Sequence, residues 1–280
     1  MTKTLNGWID QTWANARNSW INRDQDLNYR NLLVHPNLKE ELKNLNIPKR
    51  GTYFDIGCGE GEETFFLRES LKKLDYQGTI YAQDNQKELL EKVGKNMPLS
   101  FVFGKLKIRP VFEKIESMIY NPNYVGRGNL VHSSFAFQEV PDIEKFVGNI
   151  GSLLKSGGKL VSIFVNPQFE ETLRKRGSLK NIVYSEDPKK DQWEYRAEYP
   201  IVEKTGSFYV PVFHRNLSDY VRVIEDKFSI DSLRSLKPTE KIINGAKKKN
   251  LLPFCDMRIN EYYPYINEQP SSIILTATKK

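Results

Sequence analysis

The sequence contains very few cysteines and histidines. Its 280 residues include two cysteines, Cys58 and Cys255, and three histidines. Two cysteines so far apart form neither a disulfide framework nor the paired ligand spacing of a zinc site. We therefore predict no metal site, and a protein that works in a reducing, cytoplasmic environment.

Long apolar runs are absent as well. No segment is apolar over the length that a transmembrane helix requires. Residues Met1–Trp8 also lack the apolar core and the small-residue cleavage site of a signal peptide. The composition, with 39% hydrophobic and 28% charged residues, is that of a globular protein large enough to bury a sizeable core. We predict no contact with a membrane.

Positive charge is in excess but is not concentrated in one place. The formal net charge is +7, and basic surfaces attract anionic partners such as RNA. The lysines are scattered, however, and the densest run, Lys247-Lys248-Lys249, has three residues. This distribution favours an ordinary solvated surface, with nucleic acid as the alternative partner.

The most informative segment extends from Tyr53 to Leu67. A short apolar strand is followed by a glycine-rich turn and then by a helix with an acidic first turn, which places backbone N–H groups around a ligand. A dinucleotide loop has the spacing G-x-G-x-x-G, and here Glu62 stands where its third glycine would fall. The segment also contains four carboxylates: Asp55, Glu60, Glu62 and Glu63. They would repel a pyrophosphate but suit a ligand with a cationic centre, an amine and ribose hydroxyls, such as S-adenosylmethionine.

The run Asp55-Ile56-Gly57-Cys58-Gly59-Glu60-Gly61 resembles the first motif of the class I S-adenosylmethionine-dependent methyltransferases. The resemblance implies an α/β fold: a Rossmann-like, doubly wound, mostly parallel seven-stranded sheet with helices on both faces. It also implies S-adenosylmethionine as the cofactor. The cofactor contacts that it implies in this motif are Asp55, Gly57, Cys58, Gly59 and Gly61. Cys58 is then a small side chain beneath the cofactor, since no histidine is near it in sequence to activate a nucleophile.

A second strand is predicted over Gly78–Asp84, where an apolar run ends in a carboxylate. Asp84 follows Gly59 by 25 residues, about where such folds place a carboxylate that accepts hydrogen bonds from both ribose hydroxyls. Asn85 is assigned to the cofactor site with it. The alternative is that Asp84 caps the helix that starts near Lys87.

Ser100–Gly104 is predicted to be the third strand, followed by an enlarged connection over residues 105–128. The family often has Gly-Asp at the end of this strand, whereas this chain has Gly104-Lys105. In the connection, Asn121-Pro122-Asn123-Tyr124 resembles the Asn-Pro-Pro-Tyr motif of amino-methyltransferases acting on adenine. It lacks the second proline, and a turn explains it more simply.

The fourth and fifth strands resemble the family more closely. Asn129–Ser134 is similar to the family strand that ends in small polar residues, and the resemblance assigns Ser133, Ser134 and Phe135 to the cofactor site. Gly157-Gly158 after a predicted helix, followed by an apolar run, resembles the start of the fifth strand. Ser271–Thr278 is predicted to be the last strand.

Two further segments are predicted to cover the acceptor site. Residues 6–22 lie on an amphipathic helix that carries Trp8, Trp13 and Trp20 on one side, so residues 1–47 are assigned to an N-terminal helical lid. The alternative is that these tryptophans pack the helix against the domain body. Residues 48–280 form the methyltransferase domain, with an inserted acceptor-binding cap over about 166–216, including strands Glu194–Pro200 and Ser207–Phe213.

His214 is the predicted catalytic residue, as a general base or acceptor ligand, with packing at a helix start as the alternative. The predicted substrate-binding residues are Trp20, Glu139, Tyr209 and His214. Glu139 and Asp142 follow the fourth strand and are placed to reach an amine acceptor, although a capping carboxylate gives the same pattern.

The sequence therefore predicts methyl transfer to an O or N nucleophile of a small molecule by a monomer or homodimer. An RNA or protein methyltransferase is the first alternative. A non-catalytic cofactor-binding protein is the second, because fold does not dictate function.

Overall fold

The computed structural model describes residues 8–9, 11–13, 15–16, 30–186, 193–203, 206–237 and 270–280. Within these residues, ten strands form two sheets. The seven strands of the main sheet are β1 (Arg50–Ile56), β2 (Gln77–Gln83), β3 (Leu106–Val111), β4 (Gly128–Ser134), β5 (Leu154–Val165), β9 (Phe228–Ser235) and β10 (Ser272–Lys279). The three strands of the smaller sheet are β6 (Lys180–Tyr184), β7 (Tyr195–Glu203) and β8 (Gly206–His214).

Helices connect most of these strands. They are α1 (His35–Asn44), α2 (Glu62–Lys73), α3 (Lys87–Asn96), α4 (Leu99–Phe103), α5 (Ile115–Met118), α6 (Ile143–Leu153), α7 (Pro167–Lys175) and α8 (Leu217–Lys227). A π-helical turn, Arg30–Val34, precedes α1, and a 3-10 turn, Phe137–Glu139, follows β4. Residues 8–9, 11–13 and 15–16 are helical too. Within the described residues, no helix is both long enough and apolar enough to span a membrane.

The main sheet has the strand order β3-β2-β1-β4-β5-β10-β9. The first five of these strands are parallel, and β10 is antiparallel to both β5 and β9. The predicted doubly wound, mostly parallel seven-stranded sheet is confirmed. Because the chain turns from β1 to β2 on one side and reaches β4 on the other, a crevice opens beyond the carboxyl ends of β1, β2 and β4.

Hydrophobic cores cover both faces of the main sheet. Adjacent β1 residues point to opposite faces, so Tyr53 packs with α1 and α2 whereas Phe54 packs with α6 and α8. Both side chains are fully buried. This sandwich fixes the strand ends, and therefore the crevice, in a rigid frame.

The third strand was predicted in the wrong place. Ser100–Gly104 is largely helical, as part of α4, and β3 starts at Leu106. Two apolar patterns are adjacent here. Phe101 packs against the Arg68 guanidinium at 3.8 Å while Leu99 and Phe103 are exposed, whereas Leu106 and Ile108 alternate with more exposed neighbours as in a strand.

The smaller sheet lies between β5 and α8 in sequence and contains the predicted hairpin. β7 and β8 are antiparallel and pair from Tyr195 opposite His214 to Glu203 opposite Gly206. A third strand, β6, pairs with β7 and was not predicted. Its hydrophobic core joins α7 to the inner side of β7 and β8 and includes Ala16 of the N-terminal helical segment.

Candidate active site

A cavity of about 280 Å³ occupies the crevice at the carboxyl ends of β1, β2 and β4. Its walls come from the loop after β1, the end of β2, the segment after β3, the turn after β4 and the N-terminal helical segment. Parallel α/β sheets bind their ligands at this position, so the cavity is the candidate active site.

The glycine loop is held against the end of β2. The N–H groups of Gly57 and Cys58 both donate to the carbonyl oxygen of Gln83 at 2.9 Å. Gly57 has φ +74°, and a Cβ atom built on it would lie 2.7 Å from the Cβ atom of Ala136. Glycine is therefore required where the loop passes the turn after β4, and the loop backbone forms a wall of the cavity.

Asp84 joins the glycine loop to the second strand. Its Oδ2 atom accepts a hydrogen bond from the N–H of Gly59 at 2.8 Å, and its Oδ1 atom accepts one from the N–H of Gln86 at 2.8 Å. Burial raises the pKa of the Asp84 carboxyl, although the hydrogen bonds from Gln86 and Gly59 oppose this. Asp84 and Asn85 both line the cavity, as do Cys58 and the two loop glycines beside it.

Asp55 and Ser133 support the site from behind and do not line this cavity. The Asp55 carboxylate accepts a hydrogen bond from the hydroxyl of Thr64 and lies 2.8 Å from Nδ1 of His132. The Ser133 hydroxyl donates to the carbonyl oxygen of Ile56 at 3.0 Å. Gly61, with φ +91°, is the N-cap of α2 and is also outside the cavity lining. These three predicted cofactor residues thus shape the loop and strand ends.

Arg30 is a cavity residue that the sequence analysis missed. It forms ion pairs with Glu63 and with Glu62, the latter at 3.7 Å, at the start of α2. Although burial opposes its charge, Glu63, Glu62 and other carboxylates raise the pKa of the guanidinium. Arg30 therefore brings a buried positive charge to the wall of a cavity that also contains carboxylates.

The turn after β4 carries the remaining polar groups of the cavity. Ser134 is only 8% exposed, and its hydroxyl has no hydrogen-bond partner in the part of the chain that the structure describes. Phe135, in a left-handed conformation with φ +59°, also lines the cavity. Such strain in a residue other than glycine is concentrated at functional sites. Glu139 completes this wall.

The comparisons with known proteins agree with this geometry. A family profile described as a methyltransferase domain matches residues 47–206, which is more than half of the chain. The chain belongs to the class I S-adenosylmethionine-dependent methyltransferases. S-adenosylmethionine is thus the cofactor of this methyltransferase. None of the curated proteins compared with the chain matches significantly.

Solved structures share the fold at low identity. An S-adenosylmethionine-dependent methyltransferase of Mesorhizobium loti is 14% identical, with coverage of 88% of this chain and 96% of that one and a TM-score of 0.53. Geranyl diphosphate C-methyltransferase of Streptomyces coelicolor is 11% identical, with coverage of 88% and 79% and a TM-score of 0.55. A methyltransferase in complex with the Haloferax volcanii Trm112 methyltransferase activator is 13% identical, with coverage of 96% of both chains and a TM-score of 0.59.

The cavity of this methyltransferase fits its cofactor chemically. The glycine loop leaves no side chain at Gly57 and Gly59, Asp84 provides carboxylate oxygens beside the loop, and Ser134 has an unused buried hydroxyl. Such groups suit an amino-acid chain and ribose hydroxyls. Arg30 adds the positive charge that the carboxylate of an amino acid needs.

The structure separates the predicted acceptor residues. Glu139 lines the cavity, whereas Tyr209 and His214 do not. The Tyr209 ring lies 4.0 Å from the ammonium nitrogen of Lys180 in the cap sheet. Trp20 lies outside the described residues. Asp142 caps α6 by accepting a hydrogen bond from the N–H of Lys145 at 2.9 Å, as its alternative interpretation expected.

His214 is held among carboxylates beneath the cap. Its Nδ1 atom lies 2.8 Å from a carboxylate oxygen of Glu170, its Nε2 atom lies 3.4 Å from Glu194, and its ring stacks on Tyr195 at 4.4 Å. Although burial opposes protonation, Glu170 and Glu194 raise the pKa of the imidazole. His214 thus has a carboxylate at each ring nitrogen and lies outside the cavity lining.

The N-terminal helical segment closes one side of the cavity. Ile9 and Trp13 line it. Trp8 packs edge-on against Phe213 of β8, with ring centroids 5.7 Å apart, and lies 5.0 Å from the Arg196 guanidinium. The segment thus contacts the cap sheet through one side and the cavity through another.

Proposed function

We propose that this methyltransferase transfers a methyl group to an O or N nucleophile of a small molecule bound in the cavity. One observation carries the proposal: the glycine loop and Asp84 share a single cavity with Ile9 and Trp13 of the N-terminal segment. Concave sites lined by apolar residues with a few polar groups are typical of small-molecule ligands. A macromolecular acceptor would need an open approach on the side that this segment covers.

The described residues suggest how the cofactor is held. Backbone N–H groups of the glycine loop and the carboxylate of Asp84 would bind the amino-acid chain and the ribose, and Arg30 would pair with the amino-acid carboxylate. When bound, S-adenosylmethionine supplies a methyl group that is already activated by its sulfonium charge. The protein therefore contributes mainly alignment of the acceptor and exclusion of water.

We propose that the N-terminal segment is the lid that excludes water. Trp13 covers the cavity, and the contacts of Trp8 with Phe213 and Arg196 attach the segment to the cap. Aromatic contacts of this kind suit a cover that opens for substrate exchange. The assignment of residues 1–47 to a lid and 166–216 to a cap remains part of this proposal.

Labelling tests the acceptor class directly. The protein is incubated with methyl-labelled S-adenosylmethionine and a cell extract, and small molecules are then separated from RNA and protein. We expect label in the small-molecule fraction, and an Asp84→Ala variant controls for label that does not depend on the site. Label found only in RNA, with binding that weakens as salt is added, would instead favour the alternative suggested by the net charge of +7.

The same experiment separates the remaining alternatives. Label in protein alone would favour a protein methyltransferase, and cofactor binding without label in any fraction would favour the non-catalytic protein. Because the similar Haloferax volcanii structure is a complex with an activator protein, the assay is repeated with an affinity-purified sample that retains bound partners. Size-exclusion chromatography of the purified chain checks the predicted monomer or homodimer.

A further inference from the structure

We propose that the methyl acceptor is an amine and that the carboxylate of Glu139 receives the proton that this amine loses. The proposal rests on the proposed function, because it names the substrate class and the proton acceptor of the same site. It follows from the position of Glu139 in the cavity wall and from the lack of a partner for its carboxylate among the described residues.

Glu139 differs from Asp84 and from the four carboxylates of the glycine-loop segment, each of which has a partner. Asp84 accepts two backbone N–H groups and Asp55 has Thr64 and His132. Glu60 pairs with Lys92, and Glu62 and Glu63 pair with Arg30. Within the described part of the chain, the Glu139 carboxylate makes no hydrogen bond and no ion pair, although it lines the cavity. A carboxylate removed from water without a partner is costly unless a ligand provides one.

The electrostatic setting makes Glu139 a suitable proton acceptor. Burial raises the pKa of its carboxyl well above the usual range, the charge of Asp84 adds to the increase, and Arg30 opposes it. A carboxylate with a raised pKa takes a proton from an ammonium group more readily than an ordinary one, because the two proton affinities are closer.

Other cavity groups also suit an ammonium ion. Ser134 is 8% exposed, and its hydroxyl has no partner among the described residues. This hydroxyl can accept a hydrogen bond from the ammonium group. Trp13 and Phe146 present aromatic surface to the same cavity, and cations bind favourably to such rings. An ionised carboxylate as acceptor would be repelled by the carboxylates of Glu139 and Asp84.

The reaction balances without any further reagent. The substrate ammonium gives one proton to Glu139 and becomes a neutral amine. Its nitrogen lone pair forms the new N–C bond while the C–S bond breaks and leaves its electron pair on sulfur. The product leaves as a methylated ammonium ion, and Glu139 releases its proton to solvent. One proton is released for each methyl group transferred.

Matched ligand pairs test the binding part of the proposal. The full chain is saturated with S-adenosylhomocysteine, and titration calorimetry then compares amines with the alcohols of the same skeleton, for example tyramine with its alcohol analogue and benzylamine with benzyl alcohol. We expect at least one amine to bind about tenfold or more tightly than its alcohol, as for a charge-assisted hydrogen bond. Glu139→Gln should abolish this preference while S-adenosylhomocysteine affinity and melting temperature stay near those of the parent protein.

Two further variants make the test specific. Glu116→Gln removes a cavity-lining carboxylate on the segment after β3, and Glu144→Gln removes an exposed carboxylate on α6. Both should retain the preference for the amine. Turnover of the best amine should fall about 100-fold or more in Glu139→Gln and less in Glu139→Asp, as for loss of a general base.

The outcomes are distinguishable. If S-adenosylhomocysteine does not bind to the parent protein, the proposed function itself fails. If it binds but no amine is preferred over its alcohol, or if Glu139→Gln leaves preference and turnover unchanged, the proposal for Glu139 is overturned while the methyltransferase assignment stands. Loss of the preference in Glu116→Gln alone would overturn it equally.

Discussion

The Oδ2 atom of Asp84 lies 2.8 Å from the backbone nitrogen of Gly59 and accepts its hydrogen bond. The two residues are 25 positions apart, yet this bond joins the end of the second strand to the glycine loop. The Oδ1 atom accepts the N–H of Gln86, directly before α3. Asp84 thus lines the cavity and also orders the turn before a helix, while its contact with the ribose stays a prediction.

Substitution of Asp84 should weaken cofactor binding. Asp84→Ala removes the carboxylate proposed to bind the ribose hydroxyls and releases the N–H of Gly59, so we expect affinity for S-adenosylmethionine to fall about 10- to 150-fold, the range for a hydrogen bond to a charged group. Titration calorimetry measures the change. Asp226→Ala, which removes an exposed carboxylate at the end of α8, is the matched control. An unchanged affinity in Asp84→Ala would show that the ribose contact lies elsewhere.

A methyl group at Gly57 should disturb both the loop and the turn after β4. In Gly57→Ala the new Cβ atom would lie 2.7 Å from that of Ala136, at a residue with φ +74°. We expect the free energy of unfolding to fall by about 1–3 kcal/mol, as for strained backbone, together with weaker cofactor binding. Denaturant unfolding measures the stability.

The double variant separates the two causes. Adding Ala136→Gly to Gly57→Ala removes the close contact but leaves the left-handed backbone strain, so part of the stability should return. Full recovery would show that the contact alone matters, and no recovery would show that the strain alone does.

Trp13 should report cofactor binding through its fluorescence. It lines the cavity, whereas Trp193 packs against Phe213 in the cap. We expect S-adenosylhomocysteine to change the tryptophan emission, Trp13→Phe to remove most of that change, and Trp193→Phe to retain it. If Trp193→Phe removes the signal and Trp13→Phe does not, the N-terminal segment does not cover the cofactor site.

Local patterns explain why much of the cavity lining was predictable. The glycine loop, the carboxylate of Asp84 and the strand that ends in Ser134 each lie within one continuous strand-loop unit, whose spacing is fixed by the backbone. The prediction of the third strand was wrong because α4 and β3 are adjacent apolar segments. The α4 segment contains Phe101-Val102-Phe103, which has strong strand propensity. In α4, Phe101 packs on the Arg68 guanidinium.

Tertiary contacts explain why the other features of the site could not be predicted. Arg30 precedes the first strand by 20 residues, and no local signal connects it with the glycine loop. His214 was predicted to be a base because histidines are scarce, and spacing along the chain did not indicate that Glu170 and Glu194 lie at its two nitrogens. Which polar residues meet in space depends on helix and strand packing that spacing along the chain does not encode.

His35 should make the stability of the protein depend on pH. The ring is buried, stacks on Phe66 at 4.0 Å, and has a pKa lowered by burial from 6.5 to about 4. The unfolded state binds the His35 proton more tightly than the folded state does. The contribution of His35 to the free energy of unfolding is therefore fully present above about pH 6.5 and falls by up to ~3 kcal/mol as the pH falls toward 4.

His35→Phe isolates this contribution, because phenylalanine keeps a ring of similar shape and cannot take up a proton. His214, whose pKa is raised, has the opposite effect in both proteins: its stabilisation is present at low pH and is lost as the pH rises through its folded-state value. Denaturant unfolding of both proteins between about pH 4 and neutral pH measures the difference. We expect the parent protein to lose more stability than His35→Phe on acidification. Parallel curves would mean that His35 is solvated or already protonated in the folded protein.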